Sequence, residues 1–240
     1  MMSHRLPELT MSLYLSNYKT KVRSAIKLFW SKRGTGNAKK PPTSEMDGFK
    51  DLVVDIVCAN GLTRGNVLSP DQSVTLPGHY SATQSWDVVV VNEGRLITAI
   101  KFDFLLGPSL ATGMNGMCNE ILGRAMELRG TFSRKAFGGI RKPFVGYLLL
   151  LEDAPASRAP VRNVSPHFRL FPEFRETSYA ERYDHLCWKL MAENLYSSAA
   201  VIVSPRSASK SGSYSEMSEL TGLKSFVTTL AGHIAAEAAM

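Results

Sequence analysis

The chain predicts an α/β protein with a mixed central sheet flanked by helices. Three observations predict it. Apolar runs at 88–91 and 96–100 flank the short polar break Asn92-Glu93-Gly94, which is a hairpin pattern. A later run, "FVGYLLLLE", is almost wholly apolar, as a strand buried on both faces is, and "AAVIVS" gives one more strand. Segments with apolar residues at helical spacing alternate with these strands. The order gives an antiparallel edge and a parallel continuation.

The elements follow in sequence. Residues within 11–33 read as an amphipathic helix. "SKRGTGNAKKPPTSE" at 31–45 reads as a flexible linker. A helix then starts at a Ser44 cap, buries Phe49, Leu52, Val53, Ile56 and Val57, and closes at Asn60-Gly61. A short strand near "QSVTLP" precedes the hairpin. Residues 105–115 read as a loop, and "GMCNEILGRAMELRGTF" as a helix in which Glu120 and Arg124 stand one turn apart. A Pro-rich loop spans 154–176. Ser178 and Glu181 form a capping-box pattern for a helix to about Asn194. After "AAVIVS", a Ser-rich tract leads to a C-terminal helix with Leu220, Leu223, Val227 and Leu230 on one stripe. Three parts result: a basic arm and linker at 1–45, an α/β core at 46–203, and a Ser-rich linker with a helix at 204–240.

Composition bounds the function. Hydrophobic residues make up 44% and charged ones 20%, so a packed core is expected. No apolar run approaches the ~20 residues that span a bilayer, and the N-terminus has no signal-peptide pattern. Three cysteines without CxxC spacing argue against a disulfide framework and against zinc, and read as small buried hydrophobes in a reducing cytoplasm. Residues 1–45 hold nine Lys/Arg and two Asp/Glu, whereas residues 46–240 hold nineteen of each. The net charge of +7 therefore lies in the arm, which suits a polyanion such as nucleic acid or else a solvated tail.

The hairpin carries three charges: Asp87, Lys101 and Asp103. With a three-residue loop closed by Gly94 at positive φ, Val91 faces Arg95 and Asp87 faces Ala99. Lys101 is then a diagonal neighbour of Asp87 at ~7–8 Å, on the face shared by 97, 99, 101 and 103. A slip of one residue would move Asp87 to the other face. Two carboxylates suit Mg²⁺, and a lysine beside them can orient a water or neutralise developing charge. A salt bridge at a strand end is the competing reading.

Several blocks taken together resemble the XhoI-type restriction endonucleases, members of the PD-(D/E)xK nuclease superfamily. They are "MDGFKDLVVDIVCANGL", "LPGHYSATQSWDVVVVNEGRLITAIKF", "GPS", "GYLLLLEDAP" and "PHFRLFPEFRETSYAERYDHLCWKL", in order through most of 46–203. The resemblance implies an αβββαβ core and Mg²⁺-dependent hydrolysis of both strands of duplex DNA. It also implies palindromes of the CTCGAG type, a two-fold homodimer and a companion DNA methyltransferase. Asp87 matches the first acid of the motif. Where the family pattern has Glu-Phe-Lys, this chain has Lys101-Phe102-Asp103, so acid and base have changed places.

That exchange leaves two outcomes open. In one, Asp87 and Asp103 hold Mg²⁺ and Lys101 assists the attacking water. In the other, Lys101 pairs with the acids, and the chain is an inactive DNA-binding relative. A protein-interaction domain is a third reading. Asp47, Asp55 and Glu120 are candidate auxiliary acids. Lys39, Lys40, Arg141 and Lys142 are candidate phosphate contacts, and His79 and His167 candidate loop contacts. Segments 105–116 and 154–176 are the candidate base-reading loops.

Overall fold

The computed structural model describes residues 17–34, 45–69, 74–107 and 109–240. A six-stranded sheet runs β1-β4-β5-β6-β7-β8. Its strands are β1 (Val67–Leu68), β4 (Val88–Asn92), β5 (Arg95–Leu105), β6 (Phe144–Glu152), β7 (Ser198–Ser204) and β8 (Ser215–Glu216). β5, β6 and β7 are parallel; β1, β4 and β8 join antiparallel. β2 (Thr75–Pro77) and β3 (Thr83–Ser85) form a separate ribbon. The mixed α/β class read from the sequence is the one observed.

Two cores lie on the two faces of the sheet. α1 (Tyr18–Gly34), α2 (Asp47–Ala59) and α7 (Leu223–Ala238) pack against Val88, Val90, Ile100, Phe102 and Leu148. α3 (Ser109–Ser133) and α5 (Tyr179–Ala192) pack against Val89, Ala99, Tyr147, Leu149 and Val201. The alternation follows from the strand period of two, which sends odd and even side chains to opposite faces. Short helices α4 (Pro155–Arg158) and α6 (Ala208–Ser211) fill connections. No helix among the described residues is long and apolar enough to cross a membrane.

Local chemistry explains the helix ends. Ser178 accepts from the Glu181 N–H while the Glu181 carboxylate accepts the Ser178 N–H, which is the capping box read from sequence. Gly61 (φ 105°) ends α2 as read. The Ser44 cap lies outside the described residues, and Met46 stands at the N-cap instead. α1 buries Val22, Ala25, Ile26, Phe29 and Trp30 at helical spacing. It runs into the segment read as a linker, of which 35–44 lies outside the described residues. Part of the basic arm is thus structural: Lys32 meets Asp47 at 3.0 Å, and Lys21 meets Asp55.

Three further expectations are corrected. α3 begins at Ser109, so most of the 105–115 loop is helix or strand end. Gly113 and Gly116 hid its start, because glycine disfavours helices locally and tertiary packing overrides it. Leu220 is exposed and precedes α7, whereas Leu223, Val227 and Leu230 are buried. Of the cysteines only Cys187 is buried; Cys118 is half-buried and Cys58 exposed. The Ser-rich segment after 204 supplies α6 and the edge strand β8. At the end of β6, the buried Glu152 accepts the Gly107 N–H (2.8 Å) and pairs with Arg206 (2.5 Å), joining the exits of β5, β6 and β7.

Candidate active site

The three hairpin charges meet, by a different register. β4 and β5 turn through two residues, Glu93 (φ 50°) and Gly94 (φ 73°), with Asn92 paired to Arg95. Both φ values are positive, as the twist-matched two-residue turn requires. A bulge at Ile97 then shifts the pairing between Val90 and Val91. Val88 faces Ile100, which sets Asp87 opposite Lys101 rather than Ala99. The two displacements are each of one residue and add to two. Asp87 therefore keeps its expected face, with Lys101 as its direct neighbour.

Strand ends position each group. The Asp87 N–H donates to the Ile100 carbonyl (3.0 Å), and Asp87 Oδ2 accepts the Phe102 N–H (2.8 Å), so the side chain takes over where the ladder stops. Lys101 Nζ lies 3.0 Å from Asp87 Oδ2 and 3.6 Å from Asp103 Oδ1. All three side chains are about one-fifth exposed (23%, 18% and 19%), open enough to reach solvent yet partly desolvated. From α3, the Glu120 carboxylate holds Arg124 (2.8 Å), and Arg124 also donates to the Ser85 carbonyl.

Burial pushes the Asp103 carboxyl up to about 6; the Lys101 ammonium pulls it down, Glu120 and Asp87 raise it further, and Arg124 opposes them. Asp103 is thus raised mainly because it is withdrawn from water, with the Lys101 ammonium as the strongest charge acting against that. Tyr147, on β6 beside Lys101, is raised well above the usual phenol range by burial and then by Asp103, and its hydroxyl donates to Met117 Sδ at 3.1 Å. Among the described residues no three His, Cys, Asp or Glu side chains converge as a ready-made cage. Two carboxylates sharing one ammonium is the arrangement present.

Comparison with known proteins decides the lineage. The model of the restriction endonuclease XhoI family matches residues 31–216. Type II restriction enzyme BstVI of Geobacillus stearothermophilus is 36% identical over 201 residues, covering 82% of this chain and 89% of that enzyme. The chain belongs to the XhoI family of type II restriction endonucleases. Type II restriction enzyme AbrI of Azospirillum brasilense is 38% identical over 172 residues, 66% of this chain and 78% of AbrI. Type II restriction enzyme XhoI of Xanthomonas vasicola is 34% identical over 194 residues, 75% of this chain and 78% of that enzyme. No solved structure matches the chain.

The remaining candidates in this XhoI-family chain separate sharply. Glu120 stands close enough to act on Asp103. Asp47 and Asp55 do not join the cluster: α2 covers the opposite face, and they bind Lys32, Lys50 and Lys21. Arg141 meets Glu237 (3.5 Å), which also binds Arg95 at the start of β5. That end lies six residues from Lys101, ~20 Å at ~3.3 Å per residue. Lys142 is there too, donating to the Asn194 carbonyl at 3.3 Å. Lys39 and Lys40 lie outside the described residues.

His79 packs on Gly130 of α3, where a Cβ would stand 2.4 Å from its ring, while His167 is exposed in the 154–176 loop. Two features gave no sequence signal. Glu127 accepts the N–H groups of Tyr80 (2.7 Å), Ser81 (2.8 Å) and His79, anchoring the β2–β3 turn to α3. Arg182 is buried and ties together the base of the loop before α5. Their partners lie 46 and 21 residues away, beyond any local pattern.

Proposed function

We propose that the chain hydrolyses phosphodiester bonds of duplex DNA at a short palindrome, with CTCGAG the sequence implied by its family, and that it does so in the cytoplasm as a homodimer beside a protecting DNA methyltransferase. The observation that carries the reading is the meeting of Asp87, Lys101 and Asp103, each about one-fifth exposed, on one sheet face in an XhoI-family chain.

Mg²⁺ fits this donor set. The available oxygens are hard carboxylates, and the partly desolvated Asp103 would regain a favourable charge partner in a bound cation. Asp87 and Asp103 are the residues that would hold the ion, with Glu120 behind them. When bound, the ion lowers the pKa of a water and stabilises charge on a phosphoryl oxygen. Lys101 is the chain's own contribution. Its ammonium, held by Asp87, sits where it can orient the nucleophile or balance charge on the phosphate. For both acids to hold the ion, the ammonium would have to leave Asp87 Oδ2, which the flexible lysine stem allows.

A second reading rests on the same distances. Lys101 between two acids is also a complete ion pair, which favours an inactive DNA-binding relative. Incubating plasmid that carries CTCGAG with the protein and Mg²⁺, beside Asp87→Ala, separates the two. Site-specific cleavage lost in Asp87→Ala supports the endonuclease. Specific binding without cleavage supports the relative, and the Lys101→Glu, Asp103→Lys double variant then tests whether the family's order restores activity.

A further inference from the structure

The segment between β6 and α5 forms a closed loop with a braced base and an unusual tip. Its ends are joined by the Pro160–Ser178 bridge and by the Val161 N–H donating to the Thr177 carbonyl (3.0 Å). Inside the base, Arg182, only 4% exposed, donates to the Val161 carbonyl (2.7 Å) and to Thr177 Oγ1 (3.2 Å). Lys189 binds Glu173 (2.8 Å) and lies over the Phe174 ring (4.9 Å), which fixes the descending limb to α5. Arg175 closes the tip by donating twice to the Leu170 carbonyl.

The tip itself, "RNVSPHFRLF" at 162–171, holds two arginines, one histidine and no acid. Val164, Phe168 and Phe171 are 78%, 82% and 71% exposed, which nothing in the fold requires. Arg162 and Arg169 are exposed as well. A rigid stalk carrying exposed rings between cations has the chemistry of a polyanion contact that also meets apolar surface.

Its place in the fold agrees. β6 runs parallel to β5, with Leu149 beside Asp103, and the chain leaves the sheet three residues later at Glu152. α5 then covers the same face that carries Asp87, Lys101 and Asp103. The stalk thus rises from the end and the face of the sheet where the acid–lysine cluster lies.

We infer that residues 162–171 are a DNA-reading element, in which Arg162 and Arg169 hold phosphates and Phe168 and Phe171 press on base pairs of the recognition site. This rests on the endonuclease reading and adds the surface that selects the substrate. The phosphate contacts supply affinity for any duplex; the rings supply preference for a deformable step.

Fluorescence anisotropy tests it, with metal-free protein, a duplex containing CTCGAG and an unrelated duplex, across a salt series. Arg162→Ala/Arg169→Ala should weaken both duplexes about tenfold and lower the salt slope by about two contacts' worth. Phe168→Ala should weaken the site duplex about tenfold and leave the unrelated one and the slope unchanged. All four residues are exposed, so unchanged thermal unfolding shows intact folding. Wild-type affinity in both variants overturns the inference while leaving the endonuclease reading intact. Failure of the wild type to bind either duplex overturns both. Conversion of a dimer to monomer in Phe168→Ala/Phe171→Ala, seen by light scattering, reassigns the tip to self-association and overturns it too.

Discussion

Asp87 and Lys101 face each other one position beyond the first rung of the β4–β5 hairpin, with Nζ 3.0 Å from Oδ2. The same Asp87 oxygen accepts the Phe102 N–H at 2.8 Å. One carboxylate therefore holds both a strand end and the ammonium that faces the candidate site. Its removal has structural as well as chemical consequences.

Asp87→Asn keeps the shape and removes the charge. The Phe102 N–H loses a charge-assisted acceptor, at a cost of about 1–2 kcal/mol in stability. Urea unfolding checks this. A variant as stable as wild type would show that the carboxylate does not support the strand.

Asp103 gives a pH signature of opposite sign to most carboxylates. Its folded pKa, about 6, lies above the ordinary value of 3.8. The folded state binds this proton more tightly than the unfolded chain does. The resulting stability is fully present below about pH 4 and is lost as pH rises through about 6. Asp103→Asn removes that loss, so at pH 8 it should exceed wild type by roughly 2 kcal/mol, with the difference closing toward pH 4. Denaturant curves at both pH values measure it; equal gaps would refute the assignment.

Cleavage should follow the opposite course, because holding a cation needs the ionised acid. At Mg²⁺ too dilute to fill the site, the rate should fall as pH drops below about 6, and saturating Mg²⁺ should move that fall to lower pH. Replacing Lys101 by Met removes the charge that lowers the Asp103 pKa, and NMR titration should show it moving upward. A downward move would contradict the observed contact.

Glu127 predicts a local effect. Burial pushes its carboxyl up, but the N–H groups of Tyr80, His79 and Ser81 outweigh this and hold it below its usual range. That support is present above the ordinary glutamate value and is lost as pH falls through the lowered one. Glu127→Gln should lower the Tm and speed hydrogen exchange at 79–81 while leaving β5 protected. Unchanged exchange would dismiss the anchor.

Arg182 braces the tip loop. Arg182→Ala leaves the Val161 and Phe174 carbonyls without their donor and should cost about 2 kcal/mol. Limited proteolysis should then cut within 162–171 first.

Much of this was readable from residue order. The runs at 88–92, 144–152 and 198–204 announced buried strands because both faces demand apolar side chains. Asp87, Lys101 and Asp103 stood out as charges interrupting such runs. The register did not, because the Ile97 bulge has no glycine or proline to mark it. α3 was shortened because Gly113 and Gly116 look like a loop; Gly113 instead admits Leu105, whose Cδ2 would stand 2.8 Å from a Cβ there. Arg182 and Glu127 were silent because their partners are distant in sequence and gathered only by the fold.

Glu152 bears on the stiffness of the sheet's edge. One buried carboxylate clasps the Gly107 amide and the Arg206 guanidinium at the outlets of three parallel strands. Those outlets cannot part singly without stranding an anion. The rim beside the acid–lysine cluster is therefore held as one piece, so the ends of β5, β6 and β7 should loosen together rather than one at a time.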